Sequence, residues 1–97
     1  MSFRFTPEAG EEFANAVRYY TSIDPPLAAR FDREMYAAVI SAVEFPQLGR
    51  KGPHSFRKRR IKSFPYSIIF RPLDGVIVIA AVCHHRQQPD YWLDRNL

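Results

Sequence analysis

The stretch RKRRIKSFPYSIIFRPLDGVIVIAAVCHHR, residues 57–86, decides the fold of this chain. It begins almost wholly basic, continues with aromatic and aliphatic residues, and then becomes continuously apolar over residues 76–83. A strand buried on both faces has a continuous apolar sequence, whereas a strand near the edge of a sheet keeps polar side chains. We therefore predict three consecutive strands, at residues 56–63, 66–71 and 76–83, with Gly75 free to adopt a positive φ in the last turn.

The residues before this stretch predict a short strand followed by two helices. Phe3 and Phe5 alternate with polar residues as in a strand, and Thr6-Pro7-Glu8 is typical of a helix start. Asp24-Pro25-Pro26 is expected to end the first helix and cap the second, and Pro46 to close the second. The apolar stripes predicted to be buried are Ala9, Phe13, Ala16, Val17 and Tyr20 in the first helix, and Ala28, Phe31, Met35, Ala38, Val39 and Ala42 in the second. Glu11, Glu12, Asn15 and Arg18 are expected to face outward.

This order of elements, β-α-α-β-β-β, predicts an α+β fold in a single domain that covers residues 1–97. An N-terminal strand and a helical hairpin would pack on a small antiparallel sheet. Residues 46–53, PQLGRKGP, are rich in proline and glycine and predict a surface loop. A short C-terminal tail after Pro89 is expected to form one or two helical turns.

Charge is distributed unevenly along the chain. Residues 1–49 carry four basic and seven acidic side chains, a balance of −3, whereas residues 50–97 carry ten basic and three acidic side chains, a balance of +7. Seven lysines and arginines lie between Arg50 and Lys62 with no acidic residue among them. A field this polarised attracts polyanions or an acidic protein partner and accelerates the encounter with either.

Composition and motif spacing argue against several classes of protein. The single cysteine, Cys83, lies inside an apolar run and allows no disulfide framework, which fits a reducing compartment. The N-terminus lacks the apolar segment of a signal peptide, and the longest apolar run is too short to cross a bilayer, so we expect a cytoplasmic protein without membrane contact. Cys83, His84 and His85 are consecutive, so their side chains diverge and form no zinc site. We expect neither a metal nor a cofactor.

Strand alternation makes a specific prediction for the two adjacent histidines. His84 should share a face with Val78, Ala80 and Val82, and His85 should share the other face with Ile79, Ala81 and Cys83. One of the two histidines should therefore be half buried, as a structural residue or as part of a site.

Several short motifs, in this order and spacing, resemble the RelE/ParE superfamily of bacterial type II toxins. They are A-x-x-F at Ala28 and Phe31, P-x-x-G-R at Pro46, Gly49 and Arg50, FPY at Phe64, Pro65 and Tyr66, and R-x-x-P-x-Y-W-x-x-R at Arg86, Pro89, Tyr91, Trp92 and Arg95. The resemblance covers nearly the whole chain, and the fold that it implies agrees with the order of elements predicted from periodicity.

The resemblance implies two alternative activities. RelE-like members are endonucleases that cut messenger RNA on the ribosome, whereas ParE-like members bind DNA gyrase and block it, an activity associated with plasmid stabilization. Both kinds are neutralised by a cognate antitoxin with an acidic C-terminal segment, which implies a toxin–antitoxin hetero-oligomer. A domain that binds its antitoxin without being toxic is a third alternative.

Individual residues favour the ParE-like alternative. If the protein were a nuclease, the resemblance would assign its chemistry to Lys58, Arg60, Lys62, His85, Arg86 and Tyr91, with the first three on one strand face. The position after Tyr66, where a RelE-like enzyme carries an arginine, is Ser67 in this chain. The loss of that cation favours gyrase inhibition, although a histidine suited to proton transfer near neutral pH keeps the nuclease alternative open.

The residues expected to bind the antitoxin or the target are Arg57, Lys58, Arg59, Arg60, Lys62, Arg71, Arg86, Tyr91, Trp92 and Arg95. They should converge where the basic strand, Arg71 and the turn at residues 84–86 meet. Simpler roles remain open for some of them: the basic strand as an edge protected from aggregation, Tyr91 and Trp92 as packing residues, and Arg95 as an ion-pair partner. Glu8, Glu11 and Glu12 are expected to form a solvated helix face.

Overall fold

The computed structural model describes residues 2–97. In chain order the elements are β1 (Ser2–Phe5), α1 (Pro7–Ile23), α2 (Pro25–Glu44), β2 (Arg50–Lys51), β3 (Arg57–Arg60), β4 (Tyr66–Leu73) and β5 (Val76–His84), with a 3-10 turn (Pro53–Ser55) between β2 and β3. The predicted α+β order is confirmed, with one additional strand, β2, inside the segment predicted to be a loop. Neither helix in this part of the chain has the length and apolar character needed to cross a bilayer.

The five strands form one sheet in the order β1-β5-β4-β3-β2. Strands β2 to β5 pair antiparallel, but β1 pairs parallel with β5, with Ser2 opposite Val76 and Phe5 opposite Ile79. The predicted antiparallel sheet is thus present in β2 to β5, and the N-terminal strand joins its edge in parallel, which makes the whole sheet mixed. Because the helical hairpin and three further strands separate β1 from β5, no tight turn forces these two strands to run in opposite directions.

The helical hairpin covers one face of the sheet, which we call the helix face. Thr6 caps α1, with its Oγ1 accepting a 3.1 Å hydrogen bond from the Ala9 N–H, as predicted. Asp24 occupies the cap position of α2, but its side chain makes no capping hydrogen bond. The six predicted stripe residues of α2 are all buried. Aromatic rings fill the space between hairpin and sheet: Phe31 lies 5.1 Å from Phe64 and 5.3 Å from Tyr66 between ring centroids.

The opposite face of the sheet is covered by the C-terminal segment, residues 85–97, which we call the tail. We call this sheet face the tail face. It carries a second, smaller apolar cluster formed by Phe56, Ile69, Ala80, Ala81, Cys83 and Trp92. The tail forms hydrogen-bonded turns, with the Leu93 N–H donating to the Asp90 carbonyl, instead of the predicted helical turns. Trp92, which is 5% exposed, is the tail residue that packs into this cluster.

A bulge in β5 changes which side chains share a face. Ile69 of β4 lies opposite Ala81, and Phe70 lies opposite Ile79, so Ala80 is the extra residue. Ile79 therefore packs toward the helices while Ala81 and Cys83 lie in the tail-face cluster. The prediction that Ile79, Ala81 and Cys83 share one face was wrong, because a bulge shifts the period-two alternation by one residue.

The basic strand β3 is shorter than predicted and is not the edge of the sheet along its whole length. It ends at Arg60: Ile61, 1% exposed in the core, still donates its N–H to the Tyr66 carbonyl, and residues 62–65 then turn toward β4. Lys62 therefore lies in the connection to β4, and the prediction that it shares a strand face with Lys58 and Arg60 was wrong. The two-residue strand β2 pairs with the first half of β3.

Candidate functional site: a basic cleft and a cationic sheet end

The tail face carries an open cleft of about 370 Å³ between β2, β3 and the tail. Its walls combine cations with apolar surface. The lining includes Arg50, Lys51, Arg57, Lys58, Phe56, Ile69, His85, Pro89, Tyr91 and Trp92. A cleft with apolar walls and cationic sides fits an extended peptide that carries both apolar and acidic side chains.

Two cations of β3 project onto the tail face because of the strand register. Lys58 lies opposite Ile69, and Arg60 lies opposite Ser67. Ser67 in turn lies opposite Cys83 of β5. The side chains of Lys58 and Arg60 make no salt bridge and no hydrogen bond within residues 2–97. Both charges are therefore available to an external anion.

Ser67 and His85 form a polar pair beside these cations. The Ser67 hydroxyl is fully buried and lies 3.0 Å from Nε2 of His85. Burial, followed by the positive charges of Arg60 and Lys58, holds the pKa of the His85 imidazole below its ordinary value. His85 is therefore neutral at pH 7, and its ring is oriented by a partner that the rigid centre of the sheet holds in place. The residue that replaces the expected arginine thus anchors a histidine.

His84 has a structural role on the helix face. It is half buried, and its ring packs edge-on against Tyr66 with 5.0 Å between centroids. Its Nδ1 accepts a 3.0 Å hydrogen bond from the Arg86 N–H, and its own N–H donates to Oε1 of Gln87. These contacts shape the turn that carries His85 and Arg86 away from the strand.

Four charged or titratable residues lie at the end of the sheet where β3 and β5 finish. The connection at residues 61–65 and the turn at residues 84–87 are joined by a 2.9 Å hydrogen bond from the His85 N–H to the Pro65 carbonyl. Arg60, Lys62, His85 and Arg86, which we call the end cluster, are all exposed. Lys62 and Arg86 also make no side-chain hydrogen bond or salt bridge within the described residues 2–97.

Glu12 of α1 attaches the tail to the body of the protein. Its carboxylate accepts hydrogen bonds from the Tyr91 hydroxyl at 2.5 Å and from both terminal nitrogens of Arg95 at 2.8 and 2.9 Å. Burial and the adjacent Glu12 carboxylate raise the pKa of Tyr91, which stays protonated as a donor. The prediction that Glu12 lies on a solvated face was wrong, since its side chain is only 19% exposed.

Besides Arg95, three of the predicted binding arginines make contacts within the fold. Arg59 projects toward the helices, where it donates to Ser41 Oγ and to the carbonyls of Phe45 and Leu48. Arg57 donates to the Gly49 carbonyl. Arg71 lies 4.7 Å from the centroid of the Phe56 ring and donates to the His54 carbonyl.

Arg71 does not converge with the turn at residues 84–86, contrary to the prediction. In the antiparallel register Tyr66 pairs with His84, whereas Arg71 pairs with Val78. The five residues from Tyr66 to Arg71 separate the two positions by roughly 17 Å along the strand. The candidate site therefore comprises the cleft, which includes Lys58, and the end cluster, without Arg71.

Both the sequence and the fold of this chain match those of known proteins. A family model described as "ParE toxin of type II toxin-antitoxin system, parDE" matches residues 3–89. The chain belongs to the ParE toxin family. Among solved structures, a chain of the chromosomal ParDE TA system from P. aeruginosa has a TM-score of 0.75 and 20% sequence identity, covering 87% of this chain and 95% of that chain. That likeness establishes the shared fold. No curated protein matches the sequence.

In this ParE toxin only half of the side chains of the alternative nuclease set come together on the tail face. Lys58, Arg60 and His85 are neighbours there, as the register and the Ser67 contact require. Lys62 and Arg86 lie in turns, and the Tyr91 hydroxyl is bound to Glu12. Within residues 2–97 no group of three or more His, Cys, Asp or Glu residues could hold a metal ion. This arrangement supplies more groups that can bind an anion than groups that can transfer a proton.

Sequence reasoning missed two residues that organise the site of this ParE toxin. Glu12 lies three residues after Ala9 and four before Ala16, both buried, so helical spacing placed it at the border of the buried stripe. That spacing was the available signal. Ser67 was noted only as a missing cation, and nothing in the sequence pairs it with His85. The cleft-lining cations Arg50 and Lys51 were assigned to a loop.

Proposed function

We propose that this ParE toxin inhibits DNA gyrase and that a cognate antitoxin neutralises it by binding the basic cleft. The observation that carries the proposal is the family match over residues 3–89. The geometry adds support, because the cleft combines unpaired cations with apolar walls formed by Ile69 and Trp92. Gyrase acts in the cytoplasm, which is therefore the compartment that we propose for the toxin.

The cleft suits the acidic C-terminal segment expected of the antitoxin. Arg50, Lys51 and Lys58 offer charges that no carboxylate of the described residues pairs. Bound acidic side chains would be partly screened from solvent against Trp92, which strengthens their attraction to these cations. A toxin–antitoxin hetero-oligomer held in this way loses affinity as salt is raised, because exposed charge pairs are screened within about 10 Å at 0.1 M salt.

The test is a supercoiling assay with relaxed plasmid, purified gyrase and the toxin titrated into it. The expected result is loss of supercoiled product in proportion to toxin, reversed by addition of the antitoxin at equal concentration. The antitoxin is taken as the product of the neighbouring reading frame. Folded toxin that leaves supercoiling unchanged at tenfold excess over gyrase would contradict the proposal.

A second candidate, ribosome-dependent cleavage of messenger RNA, is favoured by one observation. The neutral His85, oriented by Ser67 next to Lys58 and Arg60, has the environment of a general base beside phosphate-binding cations. Incubation with ribosomes and message tests this candidate. Cleavage that His85→Gln abolishes while Tyr91→Phe leaves it intact would identify the imidazole as the acting group. Expression without any partner separates both toxic functions from an antitoxin-binding module, which would be harmless.

A further inference from the structure

The end cluster is a cationic surface that adjoins the cleft and shares His85 with it. Its three cations, Arg60, Lys62 and Arg86, are absent from the cleft lining. Arg60 is the last residue of β3, and Lys62 and Arg86 lie in two turns joined by the hydrogen bond from the His85 N–H to the Pro65 carbonyl. All three are exposed. Their backbone positions are fixed by this contact and by the pairing of Arg60 with Ser67, so all three residues lie at the same end of the sheet.

No carboxylate of the described chain compensates these charges. The carboxylate that reaches the adjoining turn is that of Glu34, and it already accepts a 2.8 Å hydrogen bond from the Ser63 N–H and a 3.1 Å salt bridge from Arg30. Like charges held together repel one another, and binding of an external polyanion relieves that repulsion. The end cluster therefore favours a partner with several negative charges.

The chemistry of the end cluster indicates backbone phosphates as the ligand. Its members are three cations and one imidazole, without the phenylalanine, tyrosine or tryptophan platform of a base-stacking site and without an apolar wall like that of the cleft. Contacts of exposed lysine and arginine with phosphate position a protein on nucleic acid without reading sequence. An acidic peptide would find apolar complementarity in the cleft and only charge at the end cluster.

We propose that the end cluster binds the phosphate backbone of the duplex DNA on which gyrase acts, so that the toxin contacts enzyme and DNA together. The choice of this DNA as the ligand rests on the proposed gyrase target, but DNA binding itself is measured without gyrase. The antitoxin in the cleft and DNA at the end cluster would occupy neighbouring surfaces. Neutralisation would then include electrostatic exclusion of DNA by the acidic antitoxin.

The test compares two variants that change net charge equally. Arg60→Gln/Arg86→Gln removes two cations of the end cluster, and Arg18→Gln/Arg33→Gln removes two exposed cations of the helical hairpin. Binding to a fluorescent 30-base-pair duplex is followed by anisotropy between 50 and 200 mM salt. Since each neutralised phosphate contributes about −0.9 to the slope of log affinity against log salt, the first variant should lose about 1.8 from the slope. When salt is raised from 50 to 200 mM, the factor by which its affinity falls should be about twelve times smaller than the factor for the unsubstituted toxin. The hairpin variant should keep the original slope.

The outcomes separate this inference from the proposed function. Equal slopes for the two variants, or no duplex binding by the unsubstituted toxin while it still inhibits gyrase, would overturn the inference and leave gyrase inhibition standing. Duplex binding through the end cluster by a toxin that does not inhibit gyrase would instead overturn the proposed gyrase target. Tighter binding to a single-stranded RNA of equal length would also overturn the assignment to duplex DNA. Supercoiling inhibition weakened only in the end-cluster variant is the expected result.

Discussion

The Tyr91 hydroxyl donates a 2.5 Å hydrogen bond to the carboxylate of Glu12, which lies 79 residues earlier in the chain. This contact is made where β5 has no neighbouring strand on its β1 side. On that side the last backbone hydrogen bond runs from the Thr6 N–H, just after β1, to the Ile79 carbonyl of β5. Beyond Ile79 this edge of β5 is free. The Glu12 carboxylate accepts a hydrogen bond from the Val82 N–H of that edge, and the Arg95 guanidinium donates one to the Ala80 carbonyl. The tail thus both caps an open edge and forms one wall of the cleft.

Glu12→Gln should destabilise the protein. The substitution removes the negative charge that Arg95 contacts with both terminal nitrogens, and hydrogen bonds to charged groups contribute about 1.5–3 kcal/mol each to stability. We expect a loss of about that size in the free energy of unfolding, measured by urea denaturation. Glu11→Gln, one residue earlier and exposed, should change it by less than about 0.5 kcal/mol. Equal effects of the two substitutions would contradict the role given to Glu12.

Arg59 and Arg60 are adjacent but should respond differently to substitution by lysine. The Arg59 guanidinium holds Ser41 and the Phe45 carbonyl at the end of α2 with two hydrogen bonds of 3.0 and 2.9 Å, which a single ammonium cannot reproduce. Arg59→Lys should cost about 1–2 kcal/mol of unfolding free energy. Arg60→Lys, at an exposed position, should cost less than about 0.5 kcal/mol. Thermal or urea unfolding of the two variants side by side decides the point.

Trp92→Ala should release the tail and destabilise the tail face. The indole packs edge-on against Phe56, with 4.8 Å between ring centroids, and is 5% exposed. Removing a buried aromatic side chain costs about 3–5 kcal/mol in unfolding free energy. Phe45→Ala, which removes an exposed ring, is the matched control and should have little effect. A tryptophan variant as stable as the control would mean that the tail does not pack on the sheet in solution.

The pKa of His85 should rise when its neighbouring cations are removed. Burial, Arg60 and Lys58 lower the pKa of His85 from the ordinary value of 6.5, so the folded state binds this proton less readily than the unfolded state. The resulting contribution to stability is unaffected above pH 6.5 and declines as pH falls below it. Arg60→Gln should raise the His85 pKa toward its ordinary value, so the decline should still begin near pH 6.5 but become smaller. An NMR titration of the imidazole resonances measures the shift, with Arg18→Gln as a control that leaves the pKa unchanged.

The sequence by itself determined the elements of this protein and their buried faces. Periodicity identified both helices and the stripe from Ala28 to Ala42, because a surface helix repeats its apolar residues every 3.6 positions regardless of what it packs against. The continuous apolar run at β5 indicated a strand covered on both faces. The uneven charge and the motif order were likewise sequence properties, and the latter led to the toxin superfamily.

Tertiary structure alone decided how the site is assembled. The bulge at Ala80 reassigned the faces of β5, the early end of β3 separated Lys62 from Lys58, and the strand register moved Arg71 away from the histidine turn. These outcomes depend on pairing between strands distant in sequence, which no local pattern encodes. The contact between Glu12 and Tyr91 has the same origin: β1 stops before β5 does, and the open edge that remains needs polar side chains from elsewhere in the chain.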